Sequence, residues 1–111
     1  MRQLMSIAMK PEVLFKAIHS ATGITRDQIT SRSRKIEFVY ARMIVVYWLN
    51  KSVQGVNVTK KYEIIGEIIN RDRNTVHYVA AKLDFELNHN NVFKYQLDRI
   101  DGILKNESSA V

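Results

Sequence analysis

A chain of 111 residues has room for one domain with a single hydrophobic core. With no cysteine it can build neither a disulfide scaffold nor a Cys-ligated zinc site, and four glycines and one proline are too few for the turns of a many-stranded sheet. The net charge of +6 is uneven: residues 1–50 carry eight Lys/Arg against three Asp/Glu, residues 51–111 nine against eight, so the basic half points to an anionic partner, either nucleic acid or a membrane surface.

In chain order, residues 1–10 are expected to form an N-terminal arm, either frayed or an extra turn of helix. Pro11 suits the first turn of a helix whose Val13, Leu14, Ala17, Ile18 and Ala21 follow helical spacing, with Gly23 as its stop. Thr25 and Gln28 have the spacing of a capping box, which predicts a brief turn over residues 26–29. The polar, basic run 30–35 (TSRSRK) reads as a loop. A long helix over 35–51 should follow, with Ile36, Val39, Tyr40, Met43 and Tyr47 on one stripe. Because Phe38, Val45, Trp48 and Leu49 make its other sides apolar, it should lie in the middle of a bundle.

Residues 52–58 read as a linker turning at Gly55, Val-rich enough for a short extended segment. Thr59 is the expected N-cap of a helix over 60–69, buried through Ile64, Ile65, Ile68 and Ile69. Asn70, Arg71 and Asp72 make a tight turn. The next helix runs to about residue 87 with Val76, Val79, Ala80, Leu83 and Leu87 inward, and a last helix covers 92–104 with Phe93, Leu97, Ile100 and Leu104 inward. Residues 105–111 are expected to be a disordered tail. The fold class is therefore all-α, a five- to six-helix bundle, with residues 11–104 as a single helical domain.

Enzyme chemistry finds little support. His19, His77 and His89 are scattered and lack ligand-type partners one helical turn away, so no metal site is expected. No Gly-rich phosphate loop and no nucleophile–base arrangement occurs, and no cofactor is expected. Glu63 and Glu67 share a helix face, which is the usual pattern of a solvated surface. The only long apolar run, 38–49, is interrupted by Arg42 and is too short to cross a bilayer. The sequence carries no signal peptide pattern, and the expected place is the cytoplasm, on the nucleoid.

Three features remain. The helix pair at 60–87 reads either as two ordinary bundle helices or as a helix-turn-helix. In the second case Arg71, Asp72, Arg73, Asn74 and Thr75 put polar arms where the second helix opens, as a major-groove reader requires. The basic loop with Arg32, Arg34 and Lys35 is either a solvated run or a phosphate-binding segment. Arg42, inside a nearly apolar helix, needs an anionic partner. That partner is an internal carboxylate such as Glu37 or Glu67, or else a phosphate.

Taken together, SRSRKIEFVYARMIVVYWL (31–49) and IGEIINRDRNTVHYVAAKL (65–83) resemble the C-terminal DNA-binding domain of the bacterial replication initiator DnaA family, over about two-thirds of the chain. The first matches the family's basic loop and the long helix with its Ala-Arg pair, here Ala41-Arg42. The second matches the signature Ile-Gly, then Arg-Asp-His-Thr-Thr-Val. The resemblance implies a Trp-repressor-like helix-turn-helix that binds double-stranded DNA as a monomer on a non-palindromic box. It implies a minor-groove contact for Arg34, a DNA contact for Arg42, signature roles for Arg71, Asp72 and Thr75, and a late basic contact for Lys82.

Arg73 and Asn74 replace the family's His and first Thr, Tyr78 stands where a DNA-contacting His is common, and Met43 replaces a polar residue. The turn lacks the family's glycines. An altered box is implied, with Arg73 suited to guanine and Asn74 to adenine. About ten residues precede the first expected helix, so the family's ATPase module is not expected in this chain. Two other readings of the same scaffold are a protein-interaction module that has lost DNA binding and a small dimeric transcriptional regulator.

Overall fold

The computed structural model describes residues 6–7 and 10–109. Among these, six helices account for about four-fifths of the residues: α1 (Pro11–Thr22), α2 (Arg26–Thr30), α3 (Ile36–Ser52), α4 (Val58–Ile69), α5 (Arg73–His89) and α6 (Asn91–Ser109). The domain is all-α, as the scarcity of turn residues predicts.

Local chemistry sets most of the boundaries. Gly23 ends α1 in the left-handed region at φ 77°, where its N–H closes on the His19 carbonyl. The capping box at α2 is complete, with Thr25 Oγ1 accepting from the Gln28 N–H and Gln28 Oε1 accepting from the Thr25 N–H. The N-cap of α4 is Asn57 rather than Thr59. Its side-chain oxygen accepts from the Lys60 N–H at 2.9 Å and starts the helix earlier than expected. Asn90 separates α5 from α6, and its Oδ1 accepts from the Phe93 N–H.

Two terminal expectations change. Ser6–Ile7 is neither frayed nor helical but a short strand, β1. It pairs antiparallel with β2 (Val53–Gln54), the extended segment of the linker, in the register Ser6 to Gln54 and Ile7 to Val53. The rest of residues 1–9 lies outside the described residues. At the other end α6 continues to Ser109, past the expected start of a disordered tail at 105, and residues 110–111 lie outside the described residues.

α3 is the axis of the bundle. Six consecutive residues, Ala41–Val46, are buried, which is more than a full turn and therefore every face of the helix. α1, α2, α4 and α5 all pack on it. α6 closes the far side through Phe93, Leu97, Ile100 and Leu104, all buried as their spacing predicts. Trp48 Nε1 donates to Asp101 Oδ1 at 2.8 Å and ties α3 to α6. Burial holds this Asp101 carboxyl above its ordinary pKa despite the indole bond. Each large side chain removed from water in this core contributes roughly 1.5–3 kcal/mol. The core thus fixes α4 and α5 on one flank and leaves their outer surfaces free.

Candidate nucleic-acid interface

Gly66 makes the turn between α4 and α5 possible. A Cβ there would run into the Arg71 carbonyl oxygen, a backbone atom that cannot swing away. Without that Cβ the chain folds back closely enough for the Arg71 N–H to reach the Gly66 carbonyl at 2.8 Å. Asn70 then takes the left-handed conformation, φ 60°, a role for which asparagine is the best non-glycine residue. The missing turn glycine is thereby replaced, and only residues 70–72 separate the two helices.

Asp72 is the N-cap of α5. Its Oδ1 accepts from the Thr75 N–H at 2.8 Å. This backbone bond, with further hydrogen bonds from the Thr75 side chain and the Asn74 N–H, holds the carboxyl below its usual pKa against a small desolvation effect. Val76 is fully buried and docks the helix, while Arg73, Asn74, Thr75, Tyr78 and Lys82 stay exposed. Tyr78 is 64% exposed, and Lys82 Nζ lies over its ring at 4.9 Å.

Alternation organises the basic loop. Ser31 Oγ accepts from the Ser33 N–H, and Ser33 Oγ accepts from the Lys35 N–H. Both serines are half-buried, and Arg32, Arg34 and Lys35 are exposed. Lys35 Nζ sits over the Phe38 ring at 5.7 Å.

The loop is anchored at the C-terminus of α2, where backbone carbonyls lack helical partners. Arg42 Nε donates to the Ile29 carbonyl at 2.6 Å, and its Nη2 donates to the Ser31 carbonyl at 3.0 Å and, at 3.4 Å, to that of Gln28. Arg71 Nη2 donates to the same Ser31 carbonyl at 2.7 Å, and Asn70 Nδ2 donates to the Thr30 carbonyl. Neither Glu37 nor Glu67 is the partner of Arg42, contrary to the ion-pair expectation. The anionic partner is the negative end of α2 itself. Arg42 is only 8% exposed, and burial followed by the nearby Arg71 charge lowers its pKa. Burial and the neighbouring Arg32 do the same to Arg71. Both guanidiniums stay charged at any physiological pH.

Between the loop and α5 lies a cleft of about 450 Å³. Its lining gathers six of the predicted residues, Arg34, Arg42, Arg71, Thr75, Tyr78 and Lys82, around an apolar floor of Val39, Met43, Ile69 and Val79, with no carboxylate. A second hollow, about 360 Å³, adjoins it through Arg71 and Thr75 and adds Arg32 and Asp72. Arg73 and Asn74 line a third notch, about 140 Å³, with Thr59, Tyr62 and His77. Lys35 lines none of these.

Arg73 does not hang free, since its Nη1 donates to Glu63 Oε2 at 3.0 Å. Sequence reasoning missed Glu63, Asn70 and Ser31 as parts of this surface. The contacts of Asn70 and Ser31 with their partners join residues up to 40 positions apart, which no periodicity records.

Comparison with known proteins agrees with this geometry. A family model described as the bacterial DnaA protein helix-turn-helix matches residues 11–82, from the start of α1 through the basic loop and well into α5. The chromosomal replication initiator protein DnaA of Pseudothermotoga lettingae is 30% identical over 94 residues, covering 84% of this chain and 20% of that relative. The chain thus spans about a fifth of the length of the relative it matches. The helix-turn-helix of this family is a DNA-binding module. From the Gly66 turn, the Asp72 cap and the match over both elements, the chain belongs to the bacterial DnaA helix-turn-helix family.

Proposed function

We propose that residues 11–104 act as one unit that binds double-stranded DNA sequence-specifically, through α5 in the major groove and the basic loop in the neighbouring minor groove. The observation that carries this reading is the cleft in which Arg34, Arg71 and Lys82 meet Thr75 and Tyr78 with no carboxylate among them. Such a surface attracts phosphate, and DNA supplies one on each side of the groove.

The roles divide by position. Arg73 and Lys82 are nine residues apart on α5, roughly 14 Å along the axis at 1.5 Å per residue. That is close to the roughly 12 Å width of a major groove. Arg73 and Asn74 then face base edges, guanine and adenine respectively, while Lys82 reaches flanking phosphate. Arg32, Lys35 and Thr75 hold phosphate, and Arg34 enters the minor groove, where a narrow A·T segment attracts arginine. Tyr78 packs beside Lys82 against the strand. Arg71 serves both the cleft and the loop anchor.

Two of the residues expected at the interface serve the scaffold in this reading. Asp72 caps α5 rather than reading bases. Arg42 turns Nε and Nη2 to the end of α2 and positions the basic loop. The domain acts as a monomer on a non-palindromic box, and such a ligand places it on the nucleoid.

The test is a fluorescence titration with random duplex DNA at low and moderate salt, followed by selection from a random duplex pool. Salt-sensitive binding and a single non-palindromic consensus are expected. Absence of salt-sensitive binding at micromolar protein refutes the reading, and a palindromic consensus refutes the monomer.

A further inference from the structure

Arg73 is the first residue of α5 and its side chain is 51% exposed, yet it is tethered. Glu63, on α4, takes Arg73 Nη1 on Oε2 at 3.0 Å, and Lys60 Nζ lies 3.8 Å from its other oxygen. The Glu63 side chain is itself 41% exposed. An ion pair this wet adds little to stability, so its consequence lies in where it puts the guanidinium. Asn74 lines the same notch as Arg73, so the two side chains assigned to base edges lie side by side at the α5 N-terminus.

A guanidinium carries five N–H donors in a rigid plane. With Nη1 held by Glu63, the edge formed by Nε and Nη2 remains, a two-donor fork of the kind that matches O6 and N7 of guanine. A carboxylate on the opposite edge fixes the plane and direction of that fork. It also sets a negative charge beside Arg73, which disfavours the alternative in which Arg73 turns aside to a phosphate.

We infer that Glu63 is a positioning residue that acts through Arg73: it directs the free guanidinium edge at a guanine and keeps Arg73 off the DNA backbone. This rests on the DNA-binding reading above and adds a determinant of specificity to it. Two effects of opposite sign follow. Removing the carboxylate relieves repulsion of phosphate and strengthens binding to any duplex. It also frees Arg73 to swivel and weakens discrimination at one base pair.

The experiment compares the wild type, Glu63→Gln, Arg73→Ala and the double variant on the selected box, on that box with the guanine opposite Arg73 changed, and on random duplex. Circular dichroism confirms that each variant is folded. In Glu63→Gln, affinity for random duplex should rise several-fold, while the guanine preference falls by up to about fivefold. In the Arg73→Ala background, Glu63→Gln should leave the residual base preference unchanged.

A Glu63→Gln protein that keeps the full guanine preference overturns the inference, as does an equal loss of preference in the Arg73→Ala background. If the wild type binds DNA with a consensus but Arg73→Ala alters no guanine in it, the inference falls and the DNA reading stands. If the wild type binds no duplex, both fall.

Discussion

Replacing Arg42 by methionine removes the guanidinium while keeping an unbranched stem to fill its channel in α3. Three carbonyls lose a donor, but unequally. That of Gln28 keeps the Ser31 hydroxyl at 2.7 Å, and that of Ser31 keeps Arg71 at 2.7 Å. The Ile29 carbonyl, on a residue with no exposed surface, loses the shortest of the Arg42 bonds, at 2.6 Å. An orphaned buried carbonyl costs about 1–3 kcal/mol, and a lost bond to a charged donor about 1.5–3 kcal/mol. Relief of the buried charge and of its repulsion by Arg71 offsets part of this, leaving roughly 2–4 kcal/mol of lost stability. For a domain of this size that is a fall in Tm of roughly 10–20 °C. Arg42→Lys keeps the charge but not the fork, so it should recover less than half of the loss. Thermal unfolding followed by circular dichroism measures the first effect. DNA titration across salt, at a temperature where both proteins are folded, measures the second. Arg42→Met should weaken binding through the misplaced loop, so that any flattening of the salt slope comes together with the fall in Tm. An unchanged Tm with a slope shallower by one phosphate would show that Arg42 contacts DNA instead.

Gly66→Ala drives a Cβ into the Arg71 carbonyl and should lower stability by roughly 1–3 kcal/mol in urea denaturation; an unchanged midpoint would mean the turn has room it does not show. Lys82→Ala should weaken binding to all duplexes alike and make the log–log salt slope shallower by about 0.9, the value for one phosphate. Asn74→Ala should relax preference at a single position, at a cost of about 1–3 kcal/mol, read by repeating the selection. Because the folded Asp72 carboxyl titrates below its usual range, its stabilising effect is present at neutral pH and is lost as pH falls through the folded value. Asp72→Asn, which can still cap the helix, should therefore show a smaller drop in Tm between neutral and strongly acidic pH than the wild type.

Most of the fold was legible because burial at one face writes a period into the sequence. The last helix shows this best, with all four expected inward residues buried. Local caps were legible where one side chain suffices, as in the Thr25–Gln28 box. They were misread where two candidates compete, as with Asn57 and Thr59. Ile36 follows the stripe of α3 but is the first residue of that helix and stands more than half exposed beyond the bundle, so position along the axis overrode spacing. The candidate interface was legible as a set of cations and signature residues. The side chains that hold those cations were not. Arg42 resolves onto backbone carbonyls, partners that every residue carries and no sequence singles out. Glu63 reads as half of a solvated carboxylate pair until the turn brings Arg73 to it.

The carbonyl of Ser31 receives one guanidinium from the central helix and one from the turn before α5. The loop proposed for the minor groove and the helix proposed for the major groove are therefore joined at one carbonyl, with the Asn70–Thr30 bond beside it, and their spacing along a duplex would be a property of that joint rather than of either element. A transplant of α5 alone into a relative would carry its base preferences and lose its register with the loop. A working exchange has to move residues 29–31, 42 and 70–71 as one part, which makes this small set, and not the recognition helix, the modular unit for building altered specificities on the scaffold.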